Sequence, residues 1–251
     1  IPDLEQGRDD LTKMAQGHLP THSPVYARLH NPTVGRFEQA MAKLESAETA
    51  VAFSTGMAAI TAALMAAQMR GDHIIALRPL YGGTDHLLNS GLFKLDVTWA
   101  TLDTLVQEIR PTTSLIMLET PANPTLQMLD IKKVVSLAGD VPVLVDSTFA
   151  TPVLQNPLTL GASMVLHSAT KFLGGHGDVM GGVIATSEHL AQGLRQIRIA
   201  TGALLHPMGA YMLHRGLQTL PARIRMAQSS CEQIAYFLES HPAISKVYYP
   251  G

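Results

Sequence analysis

Short apolar runs alternate along this chain with stretches of helical spacing, and that rhythm limits the fold more than any other feature. Thr49–Phe53, Asp72–Arg78, Val97–Ala100, Ser114–Leu118, Val141–Val145, Ser163–His167 and Gly182–Ala185 read as strands. Between them, Gly56–Arg70, Gly83–Phe93, the set Leu102, Leu105, Val106 and Ile109, and Asp130–Ala138 read as helices. Strands joined through helices build a mostly parallel sheet covered on both faces, an α/β architecture. Hydrophobic residues make up 46% of the 251 positions and charged ones 15%, enough for a fully covered core. Ligands of such sheets lie at the carboxyl ends of the strands.

The flanks differ. Residues 1–33 carry Pro2, Pro20, Pro24 and Pro32 and little periodicity, so an extended arm is expected, with Tyr26 and Arg28 on one side of it. The first helix starts near Val34, with Thr33 as its cap and Val34, Phe37, Met41 and Leu44 at helical spacing. After Ser187 the chain turns helical, and the Leu220–Pro221 step separates or kinks the helices there. Lys246–Tyr249 is strand-like and reads as the opening of a smaller domain. The expected division is 1–40 for the arm and first helix, 41–220 for a large ligand-binding domain, and 221–251 for a linking helix and the start of a C-terminal domain.

Several function classes are disfavoured. The net charge is −2 with no basic run, which offers nothing to nucleic acid or an anionic membrane. The most apolar window, Ala58–Ala67, is too short to span a bilayer. A single cysteine, Cys231, excludes an internal disulfide, and with no visible secretory signal a reducing, cytoplasmic setting is expected. The eleven histidines do not form a zinc pattern, since His18 and His22 straddle Pro20 and no HExxH occurs. No Gly-Lys pair is present for a P-loop, Met180 stands where a dinucleotide fingerprint needs its third glycine, and no serine-hydrolase elbow occurs.

The segment from His167 to Gly182 follows a buried strand and offers Ser168, Thr170 and Lys171 ahead of a glycine-rich run. A lysine at a buried strand end is costly as an ammonium, and that cost falls if it forms a Schiff base. Hydroxyls and close backbone approach suit an anion, so a carbonyl-bearing, phosphate-bearing cofactor fits, and pyridoxal phosphate has both groups. The bland alternative is a lysine that snorkels to water. Asp146 ends an apolar run and can either cap a turn or hold a pyridine nitrogen protonated. Gly56 and Met57 open the most apolar helix, where free N–H groups make a phosphate seat. Tyr81 can stack on a planar ring or lie on a domain surface, and Asn123 can bond a ring hydroxyl or serve a turn.

Six ordered segments then carry a resemblance: Tyr26-Ala27-Arg28 with Asn31-Pro32-Thr33, Phe53–Met57, Tyr81–Thr84, Glu119–Thr125, Val145–Pro152 and His167–Gly182. Together they resemble the pyridoxal-phosphate enzymes of cysteine and methionine metabolism, the transsulfuration family. The resemblance implies PLP fold type I, as in aspartate aminotransferase, and elimination or γ-replacement on a sulfur amino acid or homoserine ester. A cystathionine γ-lyase or γ-synthase type comes first, and a methionine γ-lyase or O-acylhomoserine sulfhydrylase second. Gly83, where methionine γ-lyases carry cysteine, disfavours a typical one, and Ser147 replaces a more usual asparagine. It also implies that Lys171 holds the cofactor and shuttles protons, with Asp146 on the ring nitrogen. Tyr81 would cover the ring, Asn123 would sit near its hydroxyl, and Gly56, Met57, Ser168 and Thr170 would hold the phosphate. Tyr26 and Arg28 would reach the phosphate of a neighbouring subunit, making a homodimer with shared sites the least active unit and a homotetramer the common form. The family's arginine for the substrate carboxylate falls past Gly251, so a chain that truly stopped there would be an idle cofactor-binding module.

Overall fold

In the computed structural model, which describes residues 4–19 and 26–250, helices α1 (Leu4–Ala15) and α2 (Pro32–Leu44) come first. The alternation follows: β1 (Thr49–Phe53), α3 (Gly56–Gln68), β2 (His73–Leu77), α4 (Gly82–Asn89), β3 (Asp96–Ala100) and α5 (Leu105–Glu108). It continues through β4 (Thr113–Glu119), α6 (Ile131–Ala138), β5 (Val143–Asp146) and the single turn α7 (Thr151–Leu154). Strands β6 (Met164–His167) and β7 (Gly182–Thr186) complete the sheet, and α8 (Glu188–Thr201), α9 (Pro207–Leu217) and α10 (Leu220–Glu239) close the chain.

The seven strands lie in the order β1-β7-β6-β5-β4-β2-β3. Only β7 runs against its neighbours; the remaining pairings are parallel. Successive residues of a strand serve opposite faces, as the period of two demands. Ile74, Ala76, Leu115 and Met117 pack under α3 and α8, whereas Ile75, Leu77, Ile116 and Leu118 pack against α5 and α6. At the β1 edge, Ala50, Ala52, Val183 and Ala185 meet Phe37 and Met41 of α2 and Leu213 of α9. The small strand residues there let two helices lie close on the sheet.

Several sequence expectations change. The arm is helical over Leu4–Ala15 rather than extended. Its inward positions are Gly7, Asp10, Met14 and Gly17, which share a face but show no apolar stripe. The Nε2 amides of Gln192 and Gln196 on α8 donate to the Gln16 carbonyl at 3.1 and 2.8 Å and dock the end of this segment. Pro2, Pro20, Pro24, His22 and Val25 lie outside the described residues. Tyr26–Leu29 forms a turn closed by Leu29 N–H on the Tyr26 carbonyl at 2.9 Å. The cap of α2 is Asn31, whose Oδ1 accepts from the N–H groups of Thr33 and Val34, with Pro32 opening the helix. The expected boundary at residue 40 thus falls inside α2, a helix packed on the sheet.

The helix expected over Leu102–Ile109 shrinks to one turn, because the Thr104 hydroxyl accepts from Thr101 N–H and Ile109 is extended two residues before Pro111. Helix α9 escaped the sequence reading, since Gly209 and Gly216 dilute its pattern. Pro221 stands in the first turn of α10, as the break at Leu220–Pro221 suggested. Among the described residues Lys246–Tyr249 pairs with no strand. Alternation without a neighbouring backbone to bond leaves a segment irregular.

Candidate active site

The carboxyl ends of β1, β2, β4, β5 and β6 converge on one cleft of about 670 Å³. It is lined by Gly56 and Met57 from the start of α3, Tyr81 from the β2–α4 connection, and Asn123 from the segment after β4. Asp146 enters from the end of β5, and Ser168, Thr170 and Lys171 from the β6–β7 connection. Eight of the ten sequence-predicted residues therefore meet in one place.

Tyr26 and Arg28 do not line this cleft. Arg28 lies 5.0 Å from the Tyr26 ring centroid and donates from Nη1 to the Ile199 carbonyl at 2.9 Å, near the end of α8. Lys171 also departs from the expected burial: the residue is exposed where it enters the cleft.

The seat at α3 follows from backbone geometry. Thr55 caps the helix, its Oγ1 accepting from Ala58 N–H at 3.0 Å. Ala59 N–H bonds the Thr55 carbonyl at 3.1 Å, so among the described residues the N–H groups of Gly56 and Met57 stay open at a positive helix end. A Cβ on Gly56 would stand 2.9 Å from Ser168 Cβ, and one on Gly182 would strike the Thr55 carbonyl. Glycine at both positions lets the helix start, Ser168 and the head of β7 press together. Thr170 is partly spent: its Oγ1 donates to the Gly181 carbonyl at 3.2 Å and accepts from Gly181 N–H at 3.1 Å. That bond ties the ends of the Lys171 segment together.

Burial is the main cause that raises the Asp146 carboxyl above the ordinary range, against two bonds from Thr148 that favour its charge. Thr148 N–H and Oγ1 both donate to Asp146 Oδ1, at 3.0 and 2.6 Å, leaving Oδ2 for a ligand. The same Thr148 hydroxyl accepts from Ser168 N–H at 2.9 Å, linking the acid to the Lys171 segment. Glu119 stands opposite Asp146 in the β4–β5 register. Burial first and the Asp146 charge second push its carboxyl up to about 7, opposed by bonds from the N–H groups of Asn123 and Tyr81.

Residues 9–251 match the family described as Cys/Met metabolism PLP-dependent enzyme. The chain belongs to that family. It is 58% identical over its whole length to a protein named L-methionine gamma-lyase from Brevibacterium aurantiacum, of which it covers 63%. Over 90% of its length it is 44% identical to a cystathionine gamma-lyase of Bacillus subtilis, covering 62% of that protein. The crystal structure of a cystathionine gamma synthase from Xanthomonas oryzae, in complex with aminoacrylate and cysteine, superposes with a TM-score of 0.88 at 36% identity, covering 94% of this chain and 63% of that one. The chain thus spans less than two thirds of the length of these relatives. The fold is the mixed α/β, PLP type I fold expected from the sequence.

The cleft fits the family's cofactor on its own geometry. The open N–H groups of Gly56 and Met57 with Ser168 Oγ suit a phosphate, the carboxylate of Asp146 suits a protonated ring nitrogen, and Lys171 supplies a primary amine. Among the cleft residues that the sequence reading did not single out are Glu119 and Thr148. Glu119 ends the run Leu115-Ile116-Met117-Leu118 as Asp146 ends Val143-Leu144-Val145, so the same signal was present twice. Thr148, two residues past an aspartate, has the spacing of a local Asx bond.

Proposed function

We propose that the chain is the cofactor-holding part of an enzyme that eliminates or replaces the side-chain substituent of a sulfur amino acid or homoserine ester, with methionine γ-elimination first among the reactions. The observation that carries this reading is one cleft fronted by Lys171, Asp146 and the open N–H groups of α3. The methionine γ-lyase activity moves ahead of the cystathionine one because a relative at 58% identity bears that name, which weighs more than the single position Gly83.

When bound, pyridoxal phosphate supplies an aldehyde for the substrate amine and a ring that withdraws electrons from the bonds being broken. Asp146 Oδ2 would hold a proton at the ring nitrogen, and Thr148 fixes the other oxygen so that the acid cannot turn away. Lys171 Nζ, reachable at the cleft mouth, takes the proton from substrate Cα and returns it. Gly56, Met57 and Ser168 would bind the phosphate, Tyr81 would orient the ring, and Asn123 would offer its amide to the ring hydroxyl. Tyr26 and Arg28, paired away from this cleft, serve the phosphate of a neighbouring copy in a homodimer or homotetramer. The lone cysteine, Cys231, exposed and free, supports a reducing, cytoplasmic setting.

The test is made on the full-length protein loaded with pyridoxal phosphate. Borohydride treatment should fix the cofactor on the Lys171 peptide, and Lys171→Ala should lose both colour and turnover. Methanethiol release from methionine, compared with thiol release from cystathionine and cysteine, ranks the substrates. Turnover retained by Lys171→Ala would defeat the assignment.

A further inference from the structure

Glu119 has a use that the reaction does not require of it as a base or an acid. Its two oxygens accept from two loops: Oε2 from Tyr81 N–H and Oε1 from Asn123 N–H, the latter at 2.9 Å. Those donors lie 38 and 4 residues away in sequence, one after β2 and one after β4. Each N–H meets a different oxygen, an arrangement that a carboxylate can offer and an amide, with one carbonyl oxygen, cannot. The residue is 4% exposed and neighbours Asp146 at the strand ends, so keeping a second acid there costs free energy that a purely structural contact would avoid.

We propose that Glu119 is the positioning residue that holds the Tyr81 and Asn123 loops at a fixed spacing across the cofactor ring, an inference that rests on the pyridoxal-phosphate reading above. A carboxylate that bridges both loops sets the width of the slot between the tyrosine that covers the ring and the asparagine at its edge. Glutamine in its place keeps the size and removes a buried charge, so folding is spared while one N–H loses its acceptor.

The experiment uses the full-length protein, with and without pyridoxal phosphate, and follows amide hydrogen exchange at Tyr81 and Asn123 together with cofactor release. Glu119→Gln should speed exchange at one or both amides about tenfold or more and raise the cofactor release rate by a similar factor, the scale of one charged hydrogen bond. Amides of Leu118 and Val145, inside the sheet, should exchange as in the parent. Glu119→Asp, which keeps the charge but falls one methylene short, should protect one loop and release the other. Unchanged exchange at both amides, or unchanged cofactor release despite faster exchange, would overturn the role of Glu119 alone. A parent protein that takes up no cofactor would instead defeat the functional reading, and the positioning role with it.

Discussion

Two sets of acids in this molecule, three of them buried and Asp146 half-buried, are treated in opposite ways. In the interior, Glu38 meets Arg198 Nη1 at 2.5 Å and Glu45 meets His167 Nε2 at 2.6 Å, each acid against a cationic or protonatable partner. At the rim of the sheet, Asp146 and Glu119 make no ion pair among the described residues and are held by N–H and hydroxyl donors alone. Both rim acids are pushed upward in pKa by burial as the first cause. The interior pairs are complete within the fold. Of the rim acids, Glu119 spends both oxygens on loop N–H groups, whereas Asp146 keeps Oδ2 open, where the protonated ring nitrogen of a bound cofactor would meet it.

The largest test of this contrast is in the interior. Arg198→Met leaves Glu38 buried without its cation and should cost about 3–5 kcal/mol of stability in chemical unfolding. At the rim the result should invert. Asp146→Asn should lower turnover about a hundredfold or more, the scale of a lost proton-holding group, with no loss in melting temperature of the cofactor-free protein. A rim variant that unfolds as readily as Arg198→Met would collapse the distinction.

A smaller effect concerns pH. The Glu119 carboxyl rises from 4.5 to about 7 on folding, so the unfolded chain releases its proton first. Its contribution therefore disfavours the folded state progressively from about pH 4.5 to 7, and fully above that. Cofactor-free protein should lose stability relative to Glu119→Gln across this window, measured by urea unfolding of both at matched pH. Parallel curves would show that the acid carries no such load. Smallest of all, Thr55→Ala removes the cap of α3 and should cost about 1 kcal/mol in thermal unfolding, while leaving Gly56 and Met57 free to hold phosphate.

The apolar runs of this chain were enough, by themselves, to establish a mostly parallel sheet and the strand ends where ligands bind. Lys171, Asp146, Gly56 and Asn123 stand out because each interrupts or follows such a run. Tertiary structure alone decided that β7 lies reversed between β1 and β6, that α1 is a helix docked on α8, and that Lys171 is exposed at the cleft. It also decided that Glu119 bridges two loops and that Thr148 joins Asp146 to Ser168. The reason is physical. Periodicity reports which side of an element meets apolar neighbours, whereas a hydrogen bond between Tyr81 and Glu119 depends on two strand ends brought side by side by the whole sheet.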